Sequence, residues 1–78
     1  MIKRSVNISG HQTSISLETE FWEALKTIAQ IKEISVAGLI REIDSINLVT
    51  EKKTNLSSRI RIYILTYYLS KVRENANV

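Results

Sequence analysis

His11 is the one histidine of the chain, and no cysteine accompanies it. Carboxylates are then the only other strong metal ligands, and they fall on helix surfaces. His11 is therefore predicted to hydrogen-bond or to shape a turn, not to hold a metal. Serines abound, among them Ser14, Ser16, Ser35, Ser57 and Ser58. None sits in a nucleophile-elbow pattern, and each has a local use as strand surface or helix cap. With only Gly10 and Gly38 there is no glycine-rich phosphate loop, and 78 residues hardly enclose a concave pocket. No catalysis, cofactor or metal is predicted, so the chemistry left to these polar side chains is hydrogen bonding to another molecule.

The elements that position them change period abruptly. Thr13-Ser14-Ile15-Ser16-Leu17 alternates like a strand and runs straight into a helical pattern from Glu18, with no glycine or proline between. If Ile15 and Leu17 face the helices, Thr13 goes with them, and Gln12, Ser14 and Ser16 take the opposite face. So short a strand cannot stand alone, because its backbone groups need partners. The cheapest partner in a small chain is the same strand of a second copy. The resulting two-stranded antiparallel ribbon fits the DNA major groove, where Gln can bond adenine bidentately and Ser can pair with several base edges. Ile2, Val6 and Ile8 recur at even positions, so Ile2–Ile8 reads as an earlier strand with Arg4 on the same face. Ser9-Gly10-His11 is the turn signal nearby. This first strand either folds back as a hairpin or forms an arm.

Three helices should follow. The first, over 18–33, has Glu18, Glu20 and Glu23 in its opening turns. Its apolar stripe is Phe21, Leu25, Ile28 and Ile31 or Lys32, widened by Trp22 and Ala29. The second, over 35–47, starts at the N-cap candidate Ser35 and gathers Val36, Leu39, Ile40, Ile43 and Ile46 on one face. Gly38 inside it costs roughly 1 kcal/mol relative to alanine and suggests the close approach of another backbone. Residues 47–55 read as a polar loop. Arg59-Ile60-Arg61-Ile62-Tyr63-Ile64 alternates like a strand, but Leu56, Ile60, Tyr63, Ile64, Tyr67 and Leu69 fit a helical stripe. The stretch is too long for a typical strand, so a third helix is predicted over 55–74, capped by Asn55 or Ser57, with a frayed tail.

The formal charge of +3 hides two basic ends around an acidic middle. Residues 1–17 carry Lys3 and Arg4 and no acid, and residues 52–73 carry six cations and no acid. That pattern suits a polyanion, and it also suits plain solubility. No run of ~18 apolar residues suggests a membrane span. Met1–Asn7 shows alternation where a secretory leader would be apolar. With no cysteine, the chain reads as one cytoplasmic domain, marginal alone and helped by association.

Ser14-Ile15-Ser16-Leu17-Glu18-Thr19-Glu20-Phe21, followed by Ile34-Ser35-Val36 opening the second helix, resembles the ribbon-helix-helix DNA-binding proteins of the Arc/MetJ-like superfamily. The whole chain is similar to a small bacterial subgroup of these domains. The resemblance is carried by Lys3-Arg4-Ser5-Val6, Gly10-His11, Thr13-Ser14, Ser16-Leu17-Glu18, Phe21-Trp22, Leu25, Glu42-Ile43-Asp44 and Asn55-Leu56-Ser57-Ser58. It implies a mainly α fold with a short β-ribbon: a ribbon-helix-helix homodimer with an extra N-terminal strand or arm and a third C-terminal helix. Gln12, Ser14 and Ser16 would contact bases of double-stranded DNA. A phosphate would sit at Ser35 and Val36, where the amide end of the second helix suits an anion. Lys3, Arg4 and Lys32 would supply further charge. Ile15, Leu17, Phe21, Leu25, Ile40 and Ile43 would form the dimer core. Two departures stand out. The outward strand residues lack the Arg or Lys that many members present, and Glu33 stands near the place of the usual turn glycine.

The resulting expectation is a homodimeric, DNA-binding transcriptional regulator. Two alternatives are a helix-turn-helix built on Ala29 through Ile40, and a protein-interaction or antitoxin-like dimer module. In the latter, Arg59, Arg61, Tyr63 and Tyr67 of the third helix would face a protein partner, unless they close the core.

Overall fold

The computed structural model describes residues 1–8, 10–46 and 55–76. Two strands, β1 (Ile2–Ile8) and β2 (His11–Leu17), precede three helices, α1 (Thr19–Ile31), α2 (Val36–Ile46) and α3 (Leu56–Ala76). The predicted loop at 47–55 lies outside the described residues, apart from Asn55.

β1 and β2 form one antiparallel pair, from Ile2 opposite Leu17 to Ile8 opposite His11. Gly10 lies in the turn between the two strands. Gly10 has φ +84, a backbone region that side chains rarely adopt, and its N–H donates to Asn7 Oδ1 at 3.0 Å. The choice between hairpin and arm thus falls to the hairpin. It also changes the partner of β2: one of its edges is filled by β1 of the same chain, without a second copy.

The alternation of β2 behaves as its sequence requires. Ile15 and Leu17 are fully buried, Thr13 is half-buried, and Gln12 and Ser14 are exposed. Beneath them lies a core of Trp22, Leu25 and Ile28 from α1, Leu39, Ile40 and Ile43 from α2, and Leu56, Ile60 and Ile64 from α3. The buried face of α1 is turned slightly from the predicted stripe. Trp22 is buried and Phe21 only half-buried, because the indole Nε1–H of Trp22 reaches up to donate to the Ile2 carbonyl at 2.9 Å. Ile31 and Ile46, predicted as stripe members, are largely exposed at the ends of their helices, and Leu69 is exposed beyond the part of α3 that packs on the core.

The α1 terminus explains the missing glycine. Ile34 N–H bonds to the Ala29 carbonyl at 3.0 Å and Glu33 N–H to the Gln30 carbonyl at 3.1 Å, which is the Schellman arrangement. It forces the residue after the C-cap into the left-handed region, and Glu33 occupies that position with φ 59. Gly38 also has a local cause. A Cβ there would meet Ser35 Oγ at 3.1 Å, so the glycine makes room for its own helix cap and not for another backbone. Asn55 caps α3, its Oδ1 accepting the Ser58 N–H at 2.9 Å. α3 continues to Ala76, two residues past its predicted end.

Candidate nucleic-acid interface

The hairpin sets three residues of β1 beside the three predicted on β2. Lys3 stands opposite Ser16, Ser5 opposite Ser14 and Asn7 opposite Gln12. Opposed residues of an antiparallel pair share a face, so these six make one polar surface with a cation and no acid. All are exposed except Ser16, which is half-buried. The cation that β2 lacks therefore comes from its neighbour. Sequence reasoning placed Lys3 near phosphate, but only the register brings it level with Gln12, Ser14 and Ser16.

Arg4, next along β1, belongs to the opposite face and lays its guanidinium 5.4 Å from the centre of the Trp22 ring. It lines a shallow recess together with Trp22, Lys26 and Val36. Val36 is the first residue of α2, whose amide end is built by its cap. Ser35 Oγ accepts the Gly38 N–H at 2.9 Å, while the N–H groups of Val36 and Ala37 find no partner among the described residues. One guanidinium, one ammonium and the first residue of α2 therefore line one depression beside a helix end with two open amides, an arrangement suited to an oxyanion. Lys26 was missed in the sequence because it lies in the acidic middle of the chain, and it does bond Glu23 at 3.0 Å. Its spacing of four from Trp22 was the available signal, since that places both on one helix face.

The predicted phosphate set divides here. Arg4 and Val36 line the recess, and Ser35 caps the helix beside it. Lys32 turns away: its Nζ donates to Glu42 Oε1 at 3.0 Å and to the Tyr63 hydroxyl at 3.4 Å. The bond to Glu42, then that to Tyr63, raises the pKa of Lys32 above the ordinary lysine value.

The predicted dimer-core residues Ile15, Leu17, Leu25, Ile40 and Ile43 are fully buried within the one chain, and Phe21 is half-buried. On α3, Arg59 Nη2 bonds Asp44 at 3.2 Å. Arg61 bonds Glu18 at 3.0 Å through Nε and the Ser16 carbonyl at 3.2 Å through Nη2. Its guanidinium also lies 5.8 Å from the Phe21 ring centre. The bond from Arg61 lowers the pKa of Glu18 below its ordinary value. Tyr63 and Tyr67 are half-buried against the core. The outlying apolar residues of α3 are instead Ile62, Leu65, Leu69 and Val72. His11 is exposed at the strand start, and no cluster of potential metal ligands occurs among the described residues. No described helix is long and apolar enough to cross a membrane.

A family model described as a ribbon-helix-helix domain matches residues 1–68, which takes in both strands, α1, α2 and the first half of α3. No curated protein and no solved structure matches the chain.

Proposed function

The chain belongs to the ribbon-helix-helix family, and from that premise we propose that it is a homodimeric DNA-binding regulator of transcription. The outer face of the β1–β2 ribbon enters the major groove, where Gln12, Ser14 and Ser16 contact base edges and Lys3 lies beside them. Arg4, Lys26 and the amide end of α2 at Ser35 and Val36 take the flanking phosphate. Lys32, held by Glu42, stands outside this reading. The observation that carries the proposal is the acid-free ribbon face of six polar residues with Lys3 among them. Further support comes from the family, whose domains generally bind DNA and dimerise. Two copies about a two-fold axis would read a palindromic or repeated site.

Selection from a pool of random duplex DNA, followed by binding measured across salt concentrations, tests the proposal. Ser14→Glu puts a carboxylate at the middle of the face and is expected to abolish binding of the selected sequence. Lys26→Ala is expected to weaken all sequences alike and to lower the salt slope by about one. Undiminished binding by Ser14→Glu would overturn the ribbon reading.

A further inference from the structure

The structure assigns the Ser16 edge of the ribbon to two competing occupants: the first two turns of α3, and the β2 strand of a second copy. This inference rests on the dimeric reading above and concerns how the dimer is controlled.

The competition follows from backbone geometry. The Ser16 N–H donates to Ser57 Oγ at 3.1 Å, and the Ser16 carbonyl accepts from Arg61 Nη2 at 3.2 Å. Both groups therefore point away from β1, although Ser16 stands opposite Lys3 in the register. In an antiparallel strand alternate residues direct their backbone groups to the same edge. The N–H and carbonyl groups of Gln12 and Ser14 must then open onto that edge too, and they have no partner among the described residues. A second β2 pairing about the middle residue would set Ser14 against its own copy and Gln12 of each chain against Ser16 of the other. The Ser16 N–H has one proton to give. It cannot donate to Ser57 and to a second strand together.

α3 is fastened at this point by more than one bond. Arg61 is anchored through Nε to Glu18 and lies against the Phe21 ring, and Ser57 sits in the first turn of the helix. Two-fold pairing therefore requires each copy to lift Ser57 and Arg61 from its own strand. The lifting costs free energy, and it releases a guanidinium next to the ribbon as the dimer forms.

Sedimentation equilibrium of the full chain, with helix content followed by circular dichroism, tests this. Ser57→Ala and Glu18→Gln loosen the α3 contact without entering the buried core. Each copy opens its own latch, so a factor of about three per latch becomes about tenfold tighter dimerisation for either variant. Dimerisation equal to or weaker than that of the unaltered chain overturns the inference and leaves the dimer reading intact. It would place the two-fold axis where Gln12 pairs with Ser14 and the latch stays closed. A chain that is monomeric at every concentration, alone and with its selected DNA, overturns the dimer reading and the inference with it.

Discussion

Replacing Glu33 with glycine is expected to stabilise the protein, and the gain can be worked from the α1 terminus. The two Schellman bonds hold residue 33 at φ 59, whatever its side chain. A residue with a Cβ meets a cost of about 1–2 kcal/mol there. Glycine removes that cost but loses about 0.5–1 kcal/mol through the greater freedom of its unfolded state. The net gain is about 0.5–1 kcal/mol, or about 2–8 °C in Tm for a domain of this size. Urea titration and calorimetry on Glu33→Gly and Glu33→Ala separate the causes. Alanine keeps the backbone cost and drops the charge, so it is expected to give no such rise. If both variants gain equally, the carboxylate and not the backbone is responsible, and the argument fails. Both should bind duplex DNA somewhat more tightly, since each removes a negative charge next to the amide end of α2.

Ile60 and Ile62 lie on opposite faces of α3, fully buried and 60% exposed. Ile60→Ala is expected to cost about 2–5 kcal/mol in denaturant titration, and Ile62→Ala less than about 0.5 kcal/mol. Comparable losses would mean that α3 packs with a different face. The bond from Arg61 lowers the folded pKa of Glu18, so its contribution to stability is fully present above the ordinary carboxylate value and is lost as pH falls through the lowered one. Glu18→Gln should flatten that acid limb of a stability–pH curve, and an unchanged limb would show that the pair is inert. Ser35→Ala removes the cap of α2 and is expected to cost about 1 kcal/mol. A urea midpoint identical to that of the unaltered chain would discount the cap.

What the sequence made legible was local. The change of period between Leu17 and Glu18 marks the end of β2 and the start of α1 to within a residue. Ser35 announces the cap of α2 because a short hydroxyl side chain before an apolar stripe has that use. The alternation over Arg59 to Ile64 was ambiguous for a physical reason. α3 carries apolar residues on two faces, Ile60 and Ile64 inward and Ile62 and Leu65 outward, so a helical stripe overlaps a false period of two. Non-local features left no trace. Nothing in Ile2–Ile8 shows which strand it joins, so the level placing of Lys3 and Ser16 had to come from the register. Arg61 reaches Glu18 across 43 positions, a pairing that neither local pattern contains. The same distance hid the recess, since Arg4, Lys26 and Val36 come from three elements.

Trp22 is the only tryptophan of the chain, and it touches both halves of the molecule. Its indole N–H ties α1 to the first residue of β1, and its ring carries the Arg4 side chain. The protein thereby contains a built-in optical reporter. Lifting the hairpin from the helices would expose the indole to water and shift its emission, whereas an anion drawing Arg4 off the ring would change its intensity without unfolding. Unfolding and ligand capture can thus be followed on unlabelled protein, through one fluorophore with two distinct responses.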